Sequence, residues 1–372
     1  MAKMTKWLAV LFVLALLCAM LVGCGSGTTN SQQNNTNNST NDNTNTDTNT
    51  NQTVEDTKVY EFIWAHHDPE NSEYGKLRQA FADSIYEATN GRVKITLYGS
   101  AALGAPPDGL TMLDTGVCDI VTGSISFFAG AFPATEVLYI PMLGYNDNVE
   151  GNELFWNLYE QSETVRNEFS EYKVLGLCMT PMSALGTKTD PINSIEDFKG
   201  KQIRVSSGPS SDWLMKLGVS PATVGAAEIY TSLEKGVLDG YAFEWLGLNT
   251  YNLQDLTAYY LNVPMSAVPS FTLMNLDKWN ALPDDLKAAI DGVIGREHPV
   301  EDPQVIYDLV EDVKADAISG GSQMIEPSEE FMAAMQSAAD EVAAEWVASN
   351  AGKFDSQALY DLCKELASVY VK

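Results

Sequence analysis

The stretches EDFKGKQIRVSSGPSSDWLMKLG, residues 196–218, and GVLDGYAFEW, residues 236–245, decide how this chain is interpreted. The first predicts a strand at 203–205 followed by a helix at 210–217. The second predicts a strand at 238–243, and a helix at 226–235 lies between the two stretches. Strands that alternate with helices in this way are typical of an α/β domain.

The alternation of strands and helices extends along most of the chain. Further strands are predicted at residues 59–65, 93–98, 117–122, 172–179 and 270–275. Further helices are predicted at 72–90, 107–115 and 150–169, from Pro283 onward, and at 302–318, 328–348 and 356–371. The strand–helix–strand–helix–strand order over residues 59–122 implies a parallel sheet. The strand at 270–275 is predicted to return to that sheet, and residues 181–188 are predicted to cross toward a second domain.

Charge limits the partners that this chain can have. Its 372 residues are enough for two domains and carry a formal net charge of −28, so nucleic acid is not expected as a partner. The overall field also repels small anions, and an anion site must therefore be built locally from placed cations and backbone amides. The sequence contains five arginines that could do this: Arg78, Arg92, Arg166, Arg204 and Arg296.

The sequence shows no motif for catalysis. It has three histidines and no HExxH, GxSxG, P-loop or GxGxxG spacing. His66 and His67 are adjacent, so in a strand they point to opposite faces and cannot hold one metal side by side. The cysteines match no zinc or CxxC pattern; Cys118, Cys178 and Cys363 are expected to be buried apolar residues, with one disulfide as the alternative. We therefore expect no enzyme activity, metal or cofactor.

The first 57 residues predict a leader and a tether. Residues 1–6 carry two lysines and residues 7–22 are apolar, as in an export signal. The sequence Leu21, Val22, Gly23, Cys24 resembles the lipobox of bacterial lipoproteins, which predicts a signal peptide at 1–23 and a lipid on Cys24. An uncleaved membrane anchor is the alternative. Residues 24–57, rich in Asn and Thr, are predicted to be a disordered tether.

The two opening stretches, together with Asn90, Gly91, Arg92 and Val93 after the first long helix, resemble a known family. The chain is similar over most of residues 59–289 to the extracytoplasmic solute-binding proteins of TRAP transporters, the DctP family. The resemblance implies an α/β fold of the periplasmic-binding-protein type, with two lobes, crossing strands and a helix between them, and a ligand cleft. On this basis residues 58–180 with about 269–308 form lobe I, and residues 181–268 with about 309–372 form lobe II.

The resemblance also implies a ligand site centred on Arg204. In the family, the matching arginine binds the ligand carboxylate in a bidentate manner, because a planar guanidinium makes two parallel charge-assisted hydrogen bonds to such a group. Glu244 and Trp245 end the strand at the position where the family contacts its ligand. The other predicted ligand-binding residues lie at strand ends and in the turns after them: His67, Ser206, Ser207, Phe127 and Ser183.

One departure from the family pattern bears on the ligand. Many members carry a second arginine about twenty residues before the one that matches Arg204, and residues 179–188 contain none, with Ser183 near that place. Ligands that need two cationic clamps are therefore disfavoured. A monocarboxylate with an apolar or aromatic body is favoured instead.

The sequence predicts a monomeric, extracytoplasmic lipoprotein, anchored to the membrane through Cys24, that captures an organic acid and delivers it to the permease subunits of a TRAP transporter. Two alternatives use the same fold. One is a surface receptor that senses its ligand without transport. The other is an extracellular hydrolase that uses acidic residues and Trp245.

Overall fold

The computed structural model describes residues 58–371, and the strands of this part form two sheets. The predicted signal peptide, Cys24 and tether lie outside the described residues. The strands are β1 (Tyr60–Ala65), β2 (Val93–Tyr98), β3 (Ile120–Ser124), β4 (Tyr172–Met179), β5 (Ser183–Thr187), β6 (Gln202–Arg204), β7 (Ser220–Ala222), β8 (Gly240–Glu244), β9 (Tyr259–Leu261), β10 (Pro269–Asn275) and β11 (Gln323–Ile325).

The first sheet has the order β2-β1-β3-β10-β4. Strand β1 pairs in parallel with both β2 and β3, which confirms the parallel arrangement predicted from the start of the chain. Strand β10 returns to this sheet as expected but runs antiparallel to β3 and β4. The prediction of a parallel sheet therefore holds for the first three strands, and the whole sheet is mixed because its fourth strand in order arrives from the opposite direction.

The second sheet has the order β11-β9-β5-β8-β6-β7. Strands β6, β7 and β8 are parallel to one another, whereas β5 is antiparallel to β8 and β9. The chain passes from the first sheet to the second between β4 and β5, where the sequence predicted a crossing, and returns between β9 and β10. Parallel strands place their carboxyl ends at one edge of the sheet. There β6 ends at Arg204, which pairs with Tyr241, and β8 continues three residues further to Glu244.

The helices agree with the predicted pattern except that the one predicted at 150–169 is broken and that two short helices, Trp245–Thr250 and Leu276–Asn280, were not predicted. They are α1 (Glu73–Ala88), α2 (Gly109–Thr115), α3 (Asn148–Gln161), α4 (Glu163–Glu168), α5 (Pro209–Lys216), α6 (Ala226–Glu234), α7 (Trp245–Thr250), α8 (Leu276–Asn280), α9 (Asp284–Asp291), α10 (Pro303–Ser319), α11 (Glu329–Asn350) and α12 (Ser356–Ala367). The single helix predicted at 150–169 is wrong, because Ser162 adopts an extended conformation and its side chain caps α4 by accepting a hydrogen bond from the Val165 amide.

Helix α11 joins the cores of the two sheets. Its first half contributes Phe331 and Met335 to the core beside β6, and its second half contributes Trp346 to the core beside β3, β4 and β10. Helix α12 belongs to this latter core through Leu359 and Cys363. The sequence assigned residues beyond about 309 to lobe II, and the packing of α12 on the core of the first sheet departs from that assignment, because its apolar face meets α3 and not the second sheet.

The described residues also bear on membrane crossing and cysteine pairing. No helix in residues 58–371 is both long enough and apolar enough to span a bilayer. Cys118, Cys178 and Cys363 are free thiols, and Cys118 and Cys363 are buried as expected. Cys178 is partly exposed and lies 3.7 Å from a carboxylate oxygen of Glu301.

Candidate functional site

The predicted site residues gather where strands of both sheets end. Arg204 is the last residue of β6, and Glu244 is the last residue of β8. Ser183, the first residue of β5, is paired with Glu244 across the sheet. On the first sheet, His66 and His67 follow the end of β1 directly. In α/β folds such carboxyl ends are where ligands bind.

Arg204 is a buried cation without a carboxylate partner. It is only 7% exposed, and its guanidinium donates hydrogen bonds to the carbonyls of Val224, at 3.2 Å, and Ala242, at 3.4 Å. The ring of Phe243 lies 4.8 Å from the guanidinium carbon. Within residues 58–371, no Asp or Glu forms a salt bridge with Arg204, and burial lowers its pKa. A buried guanidinium stays charged, so this position favours binding of an anion.

Tyrosines surround this arginine. The side chains of Tyr139 and Tyr251 lie near the Arg204 guanidinium. Burial raises the pKa of each of these tyrosines to about 12, so both keep their protons at neutral pH and can donate hydrogen bonds. Tyr139 also hydrogen-bonds the side chains of Ser206 and Ser210. Gly208 follows with a φ of 107°, and a Cβ there would lie 3.0 Å from the Tyr139 ring, so this turn requires glycine.

Glu244 is held in its neutral form. Burial raises its pKa to about 8, although the amides of Gly247 and Leu246 donate hydrogen bonds that favour the carboxylate. The hydroxyl of Tyr74, on α1, donates a hydrogen bond to Glu244 over 3.4 Å. This bond links a helix packed on the first sheet to the end of a strand in the second sheet. At pH 7 most Glu244 side chains carry a proton and do not repel a carboxylate bound nearby.

A second buried arginine lies on the side of the first sheet. The Arg78 side chain is 4% exposed and donates hydrogen bonds to Asp68, at 2.6 Å, and to Glu301, at 2.6 and 2.9 Å. It also contacts Nδ1 of His66 at 3.1 Å. Burial by itself raises the pKa of Asp68, but His67 and the Arg78 guanidinium lower it to about 2. The positive charge of Arg78 is therefore matched by carboxylates within the protein.

The remaining predicted residues occupy different environments. Trp245 is buried at the start of α7, where its ring lies 4.8 Å from that of Tyr260. Phe127 is partly exposed, and its ring meets that of His67 edge-on at 5.0 Å. Ser207 is exposed and lines a recess with Gly208, Phe128 and Phe132, and Arg204 is not part of the wall of that recess. The structure thus pairs Glu244 with Ser183 across the sheet, bonds Ser206 to Tyr139 near Arg204, and places Trp245 mainly in the core.

Sequence reasoning did not identify Asp68, Tyr74, Tyr139 or Tyr251 as site residues. Asp68 follows the predicted first strand within three residues, and that position could have identified it. Tyr74 fits the apolar face of α1, so its periodicity indicates core packing. Tyr139 and Tyr251 lie in or beside short helices, and no spacing marks them. Within the described residues, no group of three or more His, Cys, Asp or Glu side chains could hold a metal ion.

Comparison with known proteins places these observations in a family. Residues 64–350 match the family described as bacterial extracellular solute-binding protein, family 7, or DctP. The chain is also similar to the monocarboxylate 2-oxoacid-binding periplasmic protein of a Nostoc species, with 25% identity over 276 residues that cover 69% of this chain and 71% of that protein.

Solved structures show the same fold. One is a marine metagenome TRAP solute-binding protein specific for aromatic acid ligands, in complex with metahydroxyphenylacetate; it has a TM-score of 0.78 and 24% identity, covering 85% of this chain and 100% of that one. Another is a TRAP solute-binding protein of Rhodoferax ferrireducens with copurified benzoate, with a TM-score of 0.77 and 21% identity over 84% of this chain and 98% of that one. The predicted two-lobed α/β fold is confirmed.

Proposed function

This chain belongs to family 7 of the bacterial extracellular solute-binding proteins, the DctP family of TRAP transport systems, and we propose that its ligand is an organic monocarboxylate with an uncharged, apolar or aromatic body. The family acts outside the cytoplasm, binds small organic acids and works with TRAP membrane components. It is a family of binding proteins and not of enzymes, so the hydrolase alternative has no support. The proposal therefore concerns which acid is bound and by which residues.

The observation that carries the proposal is the unpaired charge of Arg204. Burying a cation costs free energy unless an opposite charge compensates it, and within residues 58–371 no carboxylate does so. A ligand carboxylate would provide that compensation through two charge-assisted hydrogen bonds. The neutral Glu244 and the protonated hydroxyls of Tyr139 and Tyr251 add hydrogen-bond donors without adding negative charge.

The balance of charge across the cleft favours one carboxylate over two. Arg78 already bridges Asp68 and Glu301, so it has no free charge for a second carboxylate. Lys188, the cation nearest to Ser183 in sequence, follows the opposite end of β5 and donates to the carbonyls of Leu233 and Glu234 in α6. An aromatic body agrees with the Phe243 ring beside Arg204 and with the acids named for the two structural relatives.

We further propose that a lipid on Cys24 anchors the protein, as a monomer, at the outer face of the cytoplasmic membrane. The support is the complete match of residues 21–24 to the lipobox and the polar tether that follows. Mass spectrometry of the N-terminal peptide from the membrane fraction should find a lipid on Cys24, and Cys24→Ala should not carry it. An unmodified Cys24 in the membrane fraction would refute the anchor.

Calorimetric titration of the purified protein tests the ligand class. The acid that copurifies with the protein is identified by mass spectrometry and removed. That acid and benzoate are then titrated in separate experiments. We expect Arg204→Ala to weaken binding of these acids by at least about 100-fold, because the variant loses both bonds to the carboxylate. Arg296→Ala is the matched control, since Arg296 is paired with Glu153 and Glu160 at the surface. Equal binding by Arg204→Ala and the wild type would refute the role of Arg204.

A further inference from the structure

Two buried serines, Ser210 and Ser266, have no role in the site described so far. Ser210 lies in the first turn of α5 and is 3% exposed, and Ser266 lies between β9 and β10 and is 2% exposed. Their hydroxyl oxygens are 2.5 Å apart and form one hydrogen bond, in which either oxygen can be the donor. Burying two hydroxyls costs free energy that a pair of apolar side chains would not cost, so the pair calls for a reason.

The surroundings of Ser266 decide which way its hydrogen points. Its backbone carbonyl accepts a hydrogen bond from the Ser183 amide at 2.9 Å, which fixes it where the two sheets are connected. The residues on either side, Met265 and Ala267, are apolar and fully buried. Within residues 58–371, the hydrogen-bond partner of the Ser266 hydroxyl is Ser210. Its hydrogen is therefore donated to the Ser210 oxygen, since an O–H that pointed away would lie unpaired in the core.

The Ser210 hydroxyl connects Ser266 to Tyr139. Both Ser210 and Ser206 hydrogen-bond the side chain of Tyr139. A serine hydroxyl has one hydrogen, and the Ser210 oxygen already accepts from Ser266, so the Ser210 hydrogen goes to the tyrosine oxygen. Burial raises the pKa of Tyr139 and the two serine bonds oppose that rise, which is the effect of hydrogen bonds donated to its oxygen.

The Tyr139 hydroxyl is left with one hydrogen to donate. Its oxygen accepts from two serines, so its remaining capacity is its own O–H. The ring cannot turn away, because it is 2% exposed and is packed in the core of the first sheet and against Gly208. The side chain lies near the Arg204 guanidinium, which has donors and no acceptor. The acceptor that fits this position is an anion bound to Arg204.

We propose that the two buried serines are positioning residues, which orient the Tyr139 hydroxyl so that it donates its hydrogen to the ligand carboxylate bound by Arg204. The hydrogen bonds then run in one direction, from Ser266 through Ser210 and Tyr139 to the ligand. This inference rests on the proposed function, since it takes a carboxylate on Arg204 as the acceptor. Hydrogen bonds in such a chain polarise one another, so the last bond is stronger than that of an isolated hydroxyl.

Removing the Ser266 hydroxyl should weaken binding from two hydroxyls away. In Ser266→Ala the Ser210 oxygen loses its donor and can accept from Tyr139, which diverts the tyrosine hydrogen from the ligand. The probe is the copurified acid or benzoate, whichever the wild type binds more tightly by calorimetry at pH 7. We expect Ser266→Ala to reduce its affinity by about threefold. Tyr139→Phe removes the bond itself and should reduce affinity by about tenfold or more.

A double-mutant cycle separates positioning from packing. In the Tyr139→Phe background the chain has no donor to orient, so adding Ser266→Ala should leave the affinity unchanged. The same loss of affinity in both backgrounds, or no loss in Ser266→Ala alone, would overturn the inference. Thr257→Val is the matched control, because Thr257 is also a buried hydroxyl bonded to a tyrosine, Tyr241, at 2.7 Å. This control should bind the probe as the wild type does.

Infrared spectroscopy supplies a readout that does not depend on the folding of Ser266→Ala. The probe acid is labelled with carbon-13 at its carboxyl group, and the stretching frequency of the bound carboxylate reports the hydrogen bonds that it accepts. Tyr139→Phe should shift this frequency, Ser210→Ala should shift it in the same direction by a smaller amount, and Arg296→Ala should not. The same frequency in Tyr139→Phe and the wild type would show that Tyr139 does not donate to the ligand.

The two levels of the proposal fail in different ways. Carboxylate binding that depends on Arg204 but is unaffected by Tyr139→Phe would overturn the role of the serines and of Tyr139 and leave the proposed function standing. Absence of any Arg204-dependent carboxylate binding would overturn both.

Discussion

Two buried arginines, Arg78 on α1 beside the first sheet and Arg204 at the end of β6 in the second sheet, differ in the charge that surrounds them. Arg78 is bonded to two carboxylates, Asp68 and Glu301, at 2.6 Å each. Arg204 is bonded only to backbone carbonyls and lies against the ring of Phe243. Burial is nearly the same, so the difference lies in the charge available nearby.

The comparison shows how one residue type can serve structure on one side of a cleft and recognition on the other. A buried cation whose charge is matched within the chain stabilises the fold and leaves nothing for a ligand. A buried cation without such a match keeps its affinity for an anion, and the fold must tolerate its desolvation cost until the anion arrives. Substitutions at the two positions should therefore affect different measurements.

The largest effect is expected at Arg78. Arg78→Met leaves Asp68 and Glu301 buried without their cation, and we expect the free energy of unfolding to fall by about 3–5 kcal/mol. Urea unfolding followed by circular dichroism measures this. Arg204→Met is the matched control: the ligand-free variant should stay within about 1 kcal/mol of wild type or gain stability, because an unpaired charge is removed. An equal loss of unfolding free energy in Arg78→Met and Arg204→Met would contradict the different roles assigned to the two arginines.

The pH dependence of binding tests the uncharged state of Glu244. Because its pKa is raised to about 8, the side chain is neutral at pH 7 and ionises as the pH rises through 8, where it would repel the ligand carboxylate. We expect affinity for the carboxylate ligand to fall by about tenfold between pH 7 and pH 9. Glu244→Gln stays neutral and should show no such fall. Titration calorimetry from pH 6 to pH 9.5 measures the affinity of both proteins. The same pH dependence in both would contradict the neutral state of Glu244 at pH 7.

The same raised pKa makes a prediction about stability. A carboxyl whose folded pKa lies above its unfolded value holds its proton in the folded state, so its contribution to stability decreases as the pH rises from about 4.5 to about 8. The melting temperature of the wild type minus that of Glu244→Gln should therefore decline as the pH rises across this interval. Taking the difference between variants cancels the titration of the other acidic residues. A difference that is constant with pH would show that Glu244 is ionised.

The smallest effect is expected at the hydrogen bond between the two sides. Tyr74→Phe removes the donor to Glu244, and the bond is long, at 3.4 Å. We expect ligand affinity to fall by about threefold to tenfold, since this bond joins α1 to the end of β8 and positions Glu244. Tyr86→Phe, at an exposed tyrosine on the same helix, should have no effect. An unchanged affinity for Tyr74→Phe would place that bond outside the binding equilibrium.

Much of the fold could be predicted because strands and helices leave a local pattern. The bounds predicted for the strands at 93–98 and 172–179 are those found, and the crossing at 181–188 contains the first strand of the second sheet. The break at Ser162 was missed, because the apolar periodicity continues across it while a single serine caps a new helix. The packing of α12 was missed for a different reason, since an amphipathic face does not specify its partner.

The sequence by itself determined the class of the chain and the identity of Arg204, because a specific motif and a shortage of arginines are both visible without coordinates. The tertiary structure decided which of the two buried arginines lacks a carboxylate partner, since Glu301 is 223 residues from Arg78 in sequence and meets it only in the fold. It also decided that Glu244 is neutral, because burial raises its pKa to about 8. Desolvation and proton position depend on neighbours in space, and sequence order does not contain them.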